Sequence, residues 1–366
     1  MRGFLCLCAS LIAACALGAC ASGPGDDARD GGPPDAGSLV DALADAPETT
    51  VDAMVDVAAD APEDTVTDAE HDAPVDAAQD SGAAPAVRGM WTSEYGHTVA
   101  SAPTGSATRS AFFQQLAAKQ MNRVILEARA MLKSDKAGLR TFVEDCHSRG
   151  IDVEAMINAR LTGYTLRASA DDLATYAAAA AGYQQAYCPS GSEPACLSAF
   201  NVDYEPHIFP EWSSDRAAAT TDYLTGLANV HAALAGSVPL AAAVTNWYDG
   251  AAYEIGGKTF VEAILDAGVQ RLYLMNYTDS PSQMVSRATG EMDIACAYAG
   301  GEREVLSLSD AKDEGASPAD QALTFHEEGW GAMNAAWATM TAQFTGRRCF
   351  HGNAGFDYDD MIALGP

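Results

Sequence analysis

Residues 200–206 read Phe-Asn-Val-Asp-Tyr-Glu-Pro, a short strand-like run in which period-two alternation puts Asn201, Asp203 and Glu205 on one face. Runs of similar length recur on both sides of it. Towards the N-terminus stand RGMWT (88–92), NRVILEA (122–128) and IDVEAMIN (151–158). Towards the C-terminus stand PLAAAVTN (239–246), QRLYLMNY (270–277), EVLSLSD (304–310) and FHGNAGFDY (350–358). Longer Ala-rich stretches with helical spacing separate them, plainest in 106–119, 136–149, 171–187, 212–235 and 318–341. Eight strands alternating with seven helices, the eighth helix short or missing, predict a parallel sheet with crossover helices. The 280 residues from Val87 onward also have the size of an α/β (β/α)8 TIM barrel. A doubly wound open sheet is the alternative, but no Gly-rich phosphate turn follows the first strand.

Composition changes abruptly at Val87. Residues 21–86 carry 17 acids against one Arg and no Phe, Trp or Tyr, in phrases such as VDALADAP and HDAPVDAAQD. Low hydrophobicity and one-sign charge leave too little burial to offset chain entropy, so residues 20–86 read as a disordered, self-repelling acidic tether ahead of a barrel domain at 87–366. A calcium-binding repeat would need glycines at a fixed spacing, which are missing. Ahead of the tether, Arg2 and the apolar residues 4–17 have the make-up of a signal peptide and are too short for a membrane helix of ~20 residues, so residues 1–19 are expected to be removed. Leu17-Gly18-Ala19-Cys20 resembles the bacterial lipobox, which would make Cys20 the acylated N-terminus. Ala21 and Ser22 follow in place of a retention Asp, so an outer-membrane lipoprotein facing the periplasm or the cell surface is expected. An ordinary secretory cleavage after Ala19 or Ala21 would export the chain as well.

The whole chain has 50 acidic and 21 basic side chains, a formal charge of −29. Such a chain is repelled by phosphate backbones and anionic head groups, which sets nucleic acid aside as a partner and leaves the lipid anchor as its only expected tie to a membrane. Five cysteines remain in the barrel domain. Cys188 and Cys196 bracket the turn-rich CPSGSEPAC and read as a disulfide, while Cys296 with Cys349 follows only by exclusion. No Cys/His spacing matches a zinc site, and no metal or cofactor is expected. Asp357, Asp359 and Asp360 near the chain end read as a solvated cap.

In a barrel of this kind the reacting groups stand at the C-terminal ends of the strands. Strand four supplies two carboxylates there, Asp203 and Glu205. Like charges that close raise one pKa and keep a carboxylic acid protonated near neutral pH, as a general acid requires, and Glu205, nearer the mouth, is the expected acid. Glu127, Asn158 and Asn246 end strands two, three and five, where binding sugar hydroxyls and capping the next helix are equally open. Trp247 and Tyr248 could form a stacking platform after strand five. His207 reads as a loop residue, and Tyr277 as either a site residue or a core aromatic.

This strand resembles the fourth strand of the chitinase-type glycoside hydrolases of family 18, D-x-x-D-x-D-x-E, with Ser198, Asn201, Asp203 and Glu205 at the four positions. The sixth strand resembles that family's M-x-Y-D through Met275 and Tyr277, with Asp279 one residue late. The resemblance implies that the substrate's own N-acetyl oxygen attacks the anomeric carbon while Glu205 protonates the leaving oxygen. Asp203 would orient the acetamido group and Tyr277 hydrogen-bond it. Asn201, Asn246, Trp247, Asn276, Asp279 and Glu127 would contact the sugar. Asn201 and Ser198 replace the two deeper acids, Ala155-Met156-Ile157-Asn158 stands where the family has S-x-G-G, and Phe356 stands near the usual strand-eight Trp.

The expected function is therefore that of an exported, lipid-anchored glycoside hydrolase, monomeric, acting on a β-linked, N-acetylated or similar oligosaccharide or polysaccharide. Two alternatives remain. One is a non-catalytic carbohydrate-binding barrel, because the inner acids are lost. The other is a hydrolase with Glu205 as acid and Asp310 as nucleophile.

Overall fold

The β-branched and apolar runs pair side by side, all parallel, and the eighth closes on the first. The computed structural model describes residues 86–315 and 317–364. The signal segment, Cys20 and the acidic stretch to residue 85 lie outside the described residues. In chain order the first half comprises β1 (Val87–Thr92), α1 (Glu94–Ser101), α2 (Ala107–Ala118), β2 (Arg123–Glu127), α3 (Arg129–Ser134), α4 (Lys136–His147), β3 (Asp152–Asn158), α5 (Leu166–Tyr187) and β4 (Ala199–Asp203). The second comprises α6 (Pro210–Ser214), α7 (Arg216–Leu234), β5 (Leu240–Thr245), α8 (Phe260–Asp266), β6 (Val269–Met275), α9 (Pro281–Ala297), β7 (Glu304–Asp310), α10 (Pro318–Gln321), α11 (Gly329–Phe344), β8 (Phe350–Phe356) and α12 (Tyr358–Ala363). The strands form a closed barrel in the order β1 to β8. The chain is thus a (β/α)8 TIM barrel, and the expected short eighth helix is α12.

Alternation sorts each strand's side chains between two cores. Val124, Leu126, Val153, Ala155, Phe200 and Val202 face the helices, while Trp91, Ile125, Met156, Tyr273, Leu306 and Leu308 fill the barrel. Each large apolar side chain buried this way contributes roughly 1.5–3 kcal/mol. Closure needs close backbone approach at the β1–β8 seam: Gly352 has φ +143°, and a Cβ there would fall 2.0 Å from the Val87 carbonyl oxygen. Gly226 serves the same end where α7 crosses α5, since its Cβ would meet Ala170 Cβ at 2.6 Å.

Boundaries depart from the sequence pattern where side chains cap the backbone. The stretch 212–235 is two helices, because Asp215 breaks it and accepts the Ala218 N–H at 3.1 Å to start α7. The stretch 318–341 is likewise broken, with α10 ending at Gln321 and α11 beginning at Gly329, whose φ is +79°. α5 begins five residues before 171, capped by Thr165 on the Ala168 N–H. Disulfides join Cys188 to Cys196 in the loop before β4 and Cys296 at the end of α9 to Cys349 just before β8, leaving Cys146 free and buried. Among the described residues no helix is long and apolar enough to cross a membrane.

Candidate functional site

β4 ends at Asp203, but the chain stays extended through Glu205 (φ −114°, ψ 106°) before Pro206 opens a short 3-10 turn. Alternation therefore continues past the last ladder bond, and both carboxylates reach the C-terminal mouth of the barrel, half-buried. Burial pushes Asp203 up to about 6. Burial and then the charge of Asp203 push Glu205 further, to about 8, so the pair keeps a proton through neutral pH.

Aromatic and imidazole groups enclose the pair. His207 Nε2 lies 3.4 Å from Glu205 Oε2, and its Nδ1 is 3.2 Å from the Tyr248 hydroxyl. Burial lowers the His207 pKa, which favours the neutral ring. The Trp247 ring packs edge-on against His207 at 5.3 Å and, tilted, against Tyr253 at 4.7 Å. Beneath them Tyr223, from α7, has a buried hydroxyl with no hydrogen-bond partner among the described residues. Its pKa is raised by burial first and then by Glu205 and Asp203. Tyr277 faces the same space from beyond β6, its pKa raised by burial and then by Asp203, Asp310 and Glu205. Asp203, Glu205 and Tyr277 are thus brought together.

The other expected site residues divide between the mouth and the barrel wall or floor. Asn201 is fully buried below the mouth and donates through Nδ2 to Glu154 Oε2 at 3.1 Å, so it is a partner of the barrel floor and not a sugar ligand. Asn276 points out of the barrel: fully buried, it donates to the Met284 carbonyl at 2.8 Å and the Ser307 hydroxyl at 3.2 Å. Glu127, at the end of β2, accepts the Arg129 N–H at 3.2 Å through Oε1, while the N-cap position of α3 is Ala128. Asn246 and Trp247 sit half-buried after β5, and Asp279 half-buried after β6 with its N–H on the Ala322 carbonyl. Asp310 is buried at the end of β7; burial lifts its pKa to about 7, and its Oδ1 accepts the Lys312 N–H at 2.9 Å. Asn158, in register with Asp203, has a buried Oδ1 with no partner among the described residues. Trp91 Nε1, within the barrel, is equally unpaired.

Glu154 is the residue that sequence reasoning passed over. It is fully buried at the barrel floor, where it binds Arg271, accepts the Tyr273 hydroxyl at 2.6 Å and lies 3.4 Å from Arg123. Arg271 continues to Glu304 at 2.5 Å. The available signal was two arginines and two acids inside strands that are otherwise apolar. Such a buried charge survives because every partner is present.

The loop that carries Trp247 and Tyr248 rests on a second buried acid. Asp249 presses its carboxylate against α9, so that a Cβ on Gly290 would fall 1.8 Å from Asp249 Oδ2. The adjacent Glu291 is fully buried, and neither of its oxygens has a partner of normal hydrogen-bond geometry among the described residues. Burial and the charge of Asp249 push its pKa to about 8. A proton on Glu291 is what lets two carboxyl groups share that contact.

Among the described residues, the one His/Cys/Asp/Glu group close enough for a metal is Cys188, Glu193 and Cys196, whose sulfurs are already joined to each other.

Solved structures are similar to this chain at low identity. A chitinase from Chromobacterium violaceum ATCC 12472 is 14% identical with a TM-score of 0.45, over 76% of this chain and 97% of that one. A GH18 chitinase from Pseudoalteromonas aurantia is 13% identical with a TM-score of 0.45, over 76% and 96%. A D-psicose 3-epimerase is 11% identical with a TM-score of 0.41, over 76% and 89%. No family model and no curated protein matches the sequence. The barrel itself is established by the strand order, and the chemistry rests on the side chains.

Proposed function

We propose that the chain is a glycoside hydrolase acting on a β-linked, N-acetylated glycan, with Glu205 as general acid. The observation that carries this reading is the Asp203/Glu205 pair at the barrel mouth, raised in pKa and faced by Tyr277. A glycosidic oxygen is a poor leaving group until protonated, and a carboxyl that keeps its proton at neutral pH can supply one. Asp203 and the Tyr277 hydroxyl would hold the acetamido group, so that its oxygen, and no second protein carboxylate, meets the anomeric carbon. Asp310 is a weaker candidate nucleophile, because burial keeps it partly protonated near neutral pH. The unpaired Asn158 Oδ1 is a ready acceptor for a sugar hydroxyl. In the same proposal the chain works outside the cytoplasm as a monomer, anchored through acylated Cys20.

One observation favours a second reading, binding without turnover: Asn201 is committed to Glu154, so Asp203 has no acid beneath it with which to exchange a proton. The test incubates the full-length protein and its Glu205→Gln variant with chitooligosaccharides and plain β-glucans and follows product mass. Cleavage of N-acetylated chains that falls about 100-fold or more in the variant supports the hydrolase. Cleavage of plain glucans alone refutes substrate assistance, and binding without products leaves the carbohydrate-binding reading.

A further inference from the structure

A run of aromatic rings leads away from the acid pair on the β4–β5 side. His207 touches Glu205; Trp247 packs on His207 at 5.3 Å; Tyr253 packs on Trp247 at 4.7 Å; and Trp212 lies near-parallel to Tyr253, with centroids 6.3 Å apart and planes 15° from parallel. The run ends in a pocket of about 460 Å³ between α7 and the loop that follows β5. Its wall holds Trp212, Tyr253 and Phe260, with Thr220, Arg216 and Glu254 as polar neighbours. Trp212 and Phe260 are buried and stack on each other behind the wall, so the half-buried Tyr253 is the ring that a cyclic ligand with one apolar face and a rim of hydroxyls can meet.

Arg216 gives the pocket its charge. Its guanidinium carbon lies 5.3 Å from the Trp212 ring centre and 5.3 Å from that of Tyr253. The side chain is exposed and makes no hydrogen bond or ion pair among the described residues, so all its donors are open. Glu254, the single acid in the lining, does not pair with it. Residues 87–366 hold 33 acids and 19 bases, so the surrounding field opposes anions. A carboxylate can settle here only where a fixed guanidinium outweighs that field locally, and two rings restrict the motion of this one.

We propose that this pocket is an outer subsite of the same glycan site and takes a sugar bearing a carboxylate, bound through Arg216 and packed against the half-buried ring of Tyr253. The inference rests on the glycan reading of the Asp203/Glu205 site and narrows its substrate to an acidic N-acetylated chain. A neutral sugar could pack against Tyr253, but it would leave the guanidinium without a partner. An anionic sugar gains a charge-assisted hydrogen bond at that point.

The test uses two tetrasaccharides with one β-1,4 backbone: chitotetraose, and the alternating N-acetylglucosamine–N-acetylmuramic acid chain, which differs by its lactyl carboxylates. Binding is measured by calorimetry on the full-length Glu205→Gln protein, so that nothing is cleaved, with and without Arg216→Ala. The acidic chain is expected to bind roughly tenfold tighter, and Arg216→Ala to remove that advantage while changing chitotetraose affinity less than twofold. Raising salt on the unaltered Arg216 protein should weaken the acidic chain alone, a measurement that does not depend on how the variant folds. Equal affinity for both chains, or an equal loss on both in Arg216→Ala, overturns the subsite and leaves the glycan reading standing. Binding of chitotetraose alone overturns the subsite only, and failure of both chains to bind overturns both readings.

Discussion

Glu291→Gln is expected to stabilise the protein at neutral pH and above, with almost no effect in acid. The folded chain holds the Glu291 proton up to about pH 8, whereas an ordinary glutamate loses it near 4.5. Between those values the unfolded chain binds fewer protons than the folded one, so the stability of the wild type falls as pH rises from 4.5, and the loss levels off above 8. At 1.36 kcal/mol per pH unit the wild-type penalty reaches about 3 kcal/mol at pH 7 and about 5 kcal/mol above pH 8. Glutamine has the same shape, cannot ionise, and turns an amide N–H₂ towards Asp249 in place of the carboxyl proton. Urea unfolding of both proteins at pH 4.5, 7 and 8.5 measures the difference directly. The curves should meet at pH 4.5 and separate by these amounts above it. Parallel stability curves across the range would refute the idea that Glu291 is buried in its protonated form against Asp249.

Three further outcomes are expected. Hydrolysis of an N-acetylated substrate should fall as pH rises through about 8, because the general acid works only while it holds its proton; a rate that climbs steadily to pH 10 would exclude Glu205 from that role. Asn201→Asp should cost about 3 kcal/mol in chemical denaturation, since it sets a second carboxylate against buried Glu154 and removes the donor at 3.1 Å; an unchanged midpoint would show that the floor tolerates the added charge. Losing Cys296–Cys349, which closes a 53-residue separation, should cost about 4 kcal/mol, read as a dithiothreitol-induced drop in melting temperature that is smaller in Cys296→Ser, where only Cys188–Cys196 is left to reduce.

The sequence made the barrel readable because each strand is short, apolar and separated from the next by a helix-length gap, so the period alone counts the strands. It made Asp203 and Glu205 readable because they lie on one face of a single strand. Asn201 shares that face, yet its partner Glu154 lies 47 residues upstream, and nothing local indicates that the lower position meets a charged floor. With Glu154 there, an acid at 201 would bring two buried carboxylates together, which gives the asparagine a structural reason. Asn276 and Tyr277 could not both face the mouth, since neighbours on an extended chain point opposite ways; the inward parity of Tyr273 and Met275 already favoured Tyr277. His207 and Tyr223 were hidden for a different reason. They come from the turn after β4 and from α7, and only the folded chain brings them to Glu205.

The bridge from Cys296 to Cys349 also changes how the barrel can come apart. The first and last strands meet at the β1–β8 seam, where an unbridged barrel would shed β8 and α12 alone, a fraying of little more than a dozen residues. Here the base of β8 is fastened to the end of α9, so the last strand cannot leave without taking β7 and α11 along or dragging on α9. Breathing at the seam becomes a rare, large event in place of a frequent, small one. A protease would then find a closed C-terminal edge, and resistance to digestion would follow the redox state of one sulfur pair.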